Sequence, residues 1–122
     1  MTLAEFLTQA RERRGLTLRQ LQDKADNLDH AYISRLEKGD KDKPSESTVK
    51  KLSKALQLNE RERQIFTLLA EREIDDVLFT VMTSRPDIAW SHLEPVATMS
   101  FRGQRPTTEG DWLRMIKLIQ EL

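Results

Sequence analysis

Ala31, Ser34 and Arg35 stand one, four and five residues beyond His30, a spacing that gathers all four on one face of any helix that carries them. That face offers an imidazole, a hydroxyl, a guanidinium and one methyl group, and no bulky apolar side chain. Its chemistry is hydrogen bonding to a polar surface rather than bond-breaking. No nucleophile in the chain has a recognisable setting, and no Gly-rich phosphate loop is present. His92 lies between Ser91 and Leu93 with no Cys, His or paired carboxylate at ligand spacing, so no metal site is expected. Asp75 and Asp76 fit the negatively charged first turn of a helix better than paired catalytic acids. Neither an enzyme nor a cofactor is expected.

The elements that must position this face follow from start and stop signals. Thr2 with Glu5 makes a capping box, and Leu3, Phe6, Leu7 and Ala10 follow at helical spacing up to Gly15. Thr17 with Gln20 opens a second helix through Leu18, Leu21 and Ala25. Asp26-Asn27-Leu28 has turn chemistry. Asp29 caps a third helix, which runs through Ile33 and Leu36 to Gly39. On it Tyr32, Ile33 and Leu36 are expected to face inward, opposite His30, Ala31, Ser34 and Arg35. Asp40 to Pro44 is a polar loop. Ser45 then caps a helix carrying Val49, Leu52, Ala55 and Leu56, and Asn59 with Glu62 starts a fifth with Ile65, Phe66, Leu68 and Leu69. No segment alternates with period two, and nothing repeats. The expected class is all-α.

Among 122 residues, 33% are charged and none is Cys. Disulfides and thiolate metal sites are therefore excluded, and a cytoplasmic setting is expected. No apolar run approaches the ~20 residues of a membrane helix, and Met1 to Arg14 is too charged for a signal peptide. The formal net charge is zero, but its distribution is uneven. Residues 1–58 hold 12 Lys and Arg against 9 Asp and Glu, a net of +3, while residues 59–122 hold 8 against 11, a net of −3. Phosphate binding depends on where cations sit more than on their sum.

The run Gly15-Leu16-Thr17, Leu21, Ala25 and Tyr32-Ile33-Ser34-Arg35-Leu36-Glu37-Lys38-Gly39 resembles the Cro/repressor (XRE-type) helix-turn-helix family. A Pro-Ser at the head of the next helix and Lys-Ala-Leu near its end extend the likeness, which covers residues 3–69. The resemblance implies a five-helix DNA-binding domain whose third helix enters the major groove. It implies base contacts from His30, Ala31, Ser34 and Arg35, and a phosphate grip by Thr17 and the start of helix two, with Arg19 beside it. Lys41 and Lys43 fall in the loop that holds the sugar-phosphate backbone in that family. Arg11 and Glu37 match positions that form a structural ion pair between helices one and three. The chain departs from the family where Asp26-Asn27 and one extra residue replace the usual Gly turn. Leu18 also stands where many members place a Gln that braces a base contact.

The division implied is 1–69 for the DNA-binding domain and 70–122 for a helical extension. In the extension Ile74, Leu78, Val81 and Met82 mark one apolar stripe. A short helix restarts at Asp87-Ile88-Ala89-Trp90, and Thr107 or Thr108 caps a last one. Trp112, Met115, Ile116, Ile119 and Leu122 recur there at spacings of three and four, and Leu113 and Leu118 widen the stripe. Part of it is expected to form a homodimer or partner seam. The expected function is a transcriptional repressor that binds a pseudo-palindromic operator as a dimer, located at the nucleoid through that operator. The alternative is an antitoxin or immunity-type protein whose tail captures a protein while the first domain autoregulates. A helix-turn-helix that has lost DNA binding is a third reading, motivated by Asp26 and Asp29.

Overall fold

The structure is a computed structural model that describes residues 1–40 and 43–122. The described residues form eight α-helices and no strand, so the fold is all-α. Two compact units are present, Met1–Glu73 and Ile74–Leu122.

The first unit contains α1 (Leu3–Arg13), α2 (Leu18–Lys24), α3 (His30–Glu37), α4 (Glu46–Ala55) and α5 (Glu60–Leu69). Capping boxes at Thr2/Glu5, Thr17/Gln20 and Asn59/Glu62 start α1, α2 and α5, each satisfying backbone N–H groups that a helix leaves without partners. Asp29 and Ser45 cap α3 and α4 through their side-chain oxygens. Gly15 ends α1 with φ +64°. There the Leu16 N–H reaches the Arg11 carbonyl at 3.2 Å and the Gly15 N–H reaches Glu12 at 2.9 Å, the paired bonds of a Schellman cap. Gly39 closes α3 in the same way.

Helix α1 packs on α3 and α5, α2 on α3 and α4, and α4 on α5. Leu7, Leu21, Ile33, Leu52, Leu56 and Ile65 are buried in the core between them. Phe6 and Phe66 stack with ring centroids 5.5 Å apart, tying α1 to α5. The end of α4 is fastened from outside its own sequence. Arg14 donates to the carbonyls of Leu56 at 3.0 Å and Gln57 at 3.1 Å, groups that have no intrahelical partner.

The turn between α2 and α3 holds two residues in the left-handed region, Asp26 at φ 56° and Asn27 at φ 59°. Asn and Asp tolerate this region better than other residues with a Cβ, but not as well as Gly. The Asp26→Gly variant is expected to stabilise this unit by about 0.5–1 kcal/mol, seen as a higher urea midpoint. The lost ion pair from Lys51 to Asp26, at 3.8 Å and exposed, offsets little of that. An unchanged or lower midpoint would show that the aspartate carries no strain there.

The second unit contains α6 (Asp76–Ser84), α7 (Trp90–Thr98) and α8 (Glu109–Gln120). Asp75 caps α6 by accepting from Val77 at 2.9 Å and Leu78 at 3.2 Å. Thr108, with Asp111, forms the capping box of α8. Helix α8 packs on both α6 and α7, around Leu78, Val81, Met82, Leu93, Val96, Trp112 and Ile116. The Phe101 ring meets Trp112 edge-on at 5.9 Å.

Candidate nucleic-acid interface

Helix α3 presents two faces. Ile33 and Leu36 are buried, while Ala31 and Arg35 are exposed and His30 and Ser34 half-exposed. The four side chains expected to read bases thus share an accessible surface at the start and middle of one helix. Tyr32 departs from the expectation that it faces inward with Ile33 and Leu36. It is half-exposed, and the Arg35 guanidinium lies 5.8 Å from its ring centroid. Each helical residue is rotated by about 100° from the last, so Tyr32 falls at the edge of the narrow buried stripe. There it supports Arg35 by a cation–π contact.

Two contacts set the pose of α3. At its end Arg11 donates Nε–H to Glu37 Oε2 at 2.7 Å and a terminal N–H to Oε1 at 2.8 Å. A third N–H goes to the Leu16 carbonyl at 2.8 Å. The fork therefore joins α1, α3 and the turn before α2. The hydrogen bond to the Glu37 carboxylate holds the guanidinium above its ordinary range, against the opposing cost of burial. At the start of α3, Gln22 Oε1 accepts the His30 backbone N–H at 2.8 Å and lies 2.8 Å from ring Nδ1. Sequence reasoning did not single out Gln22. The signal available was its place on α2 beside the buried Leu21, facing the turn.

On the rim, the Thr17 hydroxyl accepts the Gln20 N–H at 3.1 Å and keeps its own hydrogen for an outside acceptor. Arg19 is exposed on the first turn of α2. Lys43 pairs with Glu71, both side chains lying in solvent. Lys41 lies outside the described residues. Asp29 is exposed, and its carboxylate accepts the Ala31 N–H at 3.0 Å, so part of its charge is spent on the helix start.

The seam expected on α8 is corrected at Trp112 and Ile116. They are 0% and 1% exposed, facing α6 and α7, because a helix covered on two sides turns most of a wide apolar stripe inward. Met115 and Ile119 remain half-exposed, whereas Leu118 and Leu122 stand 60% and 101% exposed.

Residues 7–63 match the helix-turn-helix family, and the match runs from within α1 through α2, the turn, α3 and α4 to the start of α5. The first unit is a helix-turn-helix domain of the Cro/repressor type. No curated protein matches the chain. Domains of this type occur in DNA-binding transcription regulators. No helix among the described residues is long and apolar enough to cross a membrane, and none of the described His, Asp and Glu residues group as metal ligands.

Proposed function

We propose that this helix-turn-helix protein is a sequence-specific repressor that occupies a pseudo-palindromic operator as a homodimer. The observation that carries this reading is the accessible face of α3, with Arg35 braced on Tyr32 and the helix clamped at both ends. A preorganised guanidinium pays little further entropy on binding, and Arg to guanine is the commonest specific base contact. His30, Ala31 and Ser34 complete the reading surface, with Ala31 suited to a thymine methyl. Thr17, Arg19, Lys41 and Lys43 supply phosphate contacts, which position the domain and make affinity fall steeply with salt. Two copies are required for two half-sites about one helical turn apart. Met115, Leu118, Ile119 and Leu122 form the dimer seam. With Leu118 60% and Leu122 101% exposed, the end of α8 and the residues after it are, among the described residues, large apolar surface left without a cover.

Selection of random double-stranded oligonucleotides with the full chain tests the proposal. A two-fold symmetric motif is expected, and its half-site spacing reports the dimer. Arg35→Ala is expected to relax choice at one base pair and to weaken the selected site by about 5- to 150-fold, with the circular dichroism of the fold unchanged. Retained discrimination in that variant would remove Arg35 from the reading surface. Enrichment of no motif by the folded protein would favour capture of a protein partner by the α8 surface.

A further inference from the structure

The Gln22–His30 contact does more than orient a ring, because it determines which nitrogen of His30 carries hydrogen. The main-chain N–H of His30 donates to one atom of the Gln22 side chain at 2.8 Å, and only the carbonyl oxygen of an amide can accept it. Ring Nδ1 lies 2.8 Å from that same oxygen. An oxygen cannot donate, so the contact is a hydrogen bond only if Nδ1 carries the hydrogen. Asp29 Oδ1, another acceptor, lies 3.6 Å from Nδ1 and favours the same arrangement. In the neutral ring Nε2 then has a lone pair and no hydrogen. Among the described residues Nε2 has no partner, and His30 is the first residue of the exposed helix.

We infer that Gln22 fixes the tautomer of His30 so that Nε2 accepts a hydrogen bond from the exocyclic amino group of adenine or cytosine. This rests on the operator-binding reading above and deepens it. In the major groove adenine N6 and cytosine N4 are donors, whereas guanine O6 and N7 and thymine O4 are acceptors. An acceptor held by the protein at Nε2 meets the first pair favourably and leaves two facing lone pairs with the second. His30 is thus the specificity-determining residue for one base pair, and Gln22 is its positioning residue.

Two readouts on the full chain test this. The chain has two histidines, so nitrogen-15 NMR of the imidazoles at about pH 8, above the ordinary imidazole range, identifies the His30 tautomer. Nδ1–H is expected in the wild type, and a mixture of tautomers in Gln22→Leu. Oligonucleotide selection at the same pH should give one motif column in which adenine or cytosine outnumbers guanine and thymine by about tenfold. That ratio should collapse in Gln22→Leu while the other columns persist. In His30→Arg, a donor only, the same column should turn to guanine. An Nε2–H signature in the wild type overturns the inference. So does a column that His30→Arg fails to move, or one already favouring guanine or thymine. Each of those results leaves DNA reading by α3 intact, whereas a wild type that selects no motif overturns the operator-binding reading and the inference with it.

Discussion

Replacing Arg11 by Met lowers the stability of the helix-turn-helix unit by about 3 kcal/mol, the low end of what removing one partner of a buried ion pair costs. The loss comes less from the missing attraction than from the group left behind. The Glu37 side chain is only 9% exposed and takes both carboxylate bonds from Arg11. Without the guanidinium that carboxylate is nearly buried and unpaired, and the Leu16 carbonyl loses its donor as well. Arg11 itself keeps 17% exposure, which holds the cost below that of a fully enclosed pair. In a small domain of marginal stability, about 3 kcal/mol is a large share of the total. Urea unfolding followed through amide resonances of α1 and α3 measures it. The double variant Arg11→Met/Glu37→Met should regain most of the loss, because no charge is then stranded. A double variant as unstable as the single one would show that the fork acts by geometry rather than by charge compensation.

The arginine side of this pair should not titrate near neutrality. The hydrogen bonds to Glu37 raise the Arg11 value in the folded state above its ordinary range. A raised value means that the stabilisation is fully present below the unfolded value and is lost only as pH rises through the folded one. The Arg11→Met penalty is therefore set by the arginine equally at mildly acidic and mildly basic pH.

Truncating Trp112 to Ala costs the α6–α8 unit about 3–5 kcal/mol. Its ring is 0% exposed and meets Phe101 edge-on, so Ala leaves a large cavity between helices that cannot close over it. Truncation to Phe behaves differently. The Trp112 Nε1–H is buried with no hydrogen-bond partner among the described residues, and such a group carries a desolvation cost of about 1–3 kcal/mol. Phe removes that cost along with part of the packing, and is expected within about 1 kcal/mol of the wild type. Both tryptophans of the chain, Trp90 and Trp112, lie in this unit. The fluorescence of Trp90 therefore reports its unfolding in either variant. A Phe variant as damaged as the Ala variant would mean that the indole N–H is satisfied in solution.

Much of the first unit's helical architecture is written in interactions that close over a few residues. Thr2 with Glu5, Thr17 with Gln20 and Asn59 with Glu62 each satisfy one another three positions apart. Glycine at 15 and 39 permits the left-handed cap that ends a helix. Such devices are legible because donor, acceptor and backbone conformation all lie within one turn of chain. Apolar periodicity then said which faces of those helices turn inward.

What depended on tertiary structure joins residues that no periodicity connects. Gln22 reaches His30 across a turn, and Arg14 reaches the carbonyls of Leu56 and Gln57, just past α4 and 42 and 43 residues further on. The Arg11–Glu37 fork spans 26 residues, and only the family resemblance indicated it beforehand. Tyr32 and α8 show the same limit in packing. Periodicity placed Tyr32 with Ile33 and Leu36, and placed Trp112 and Ile116 on one stripe with Met115, Ile119 and Leu122. The width of the covering neighbours decided that Tyr32 lies at the rim, that Trp112 and Ile116 are enclosed, and that Leu118 and Leu122 are not. A sequence states how apolar each side of a helix is, but how much of that side is buried depends on the reach of the helices laid against it.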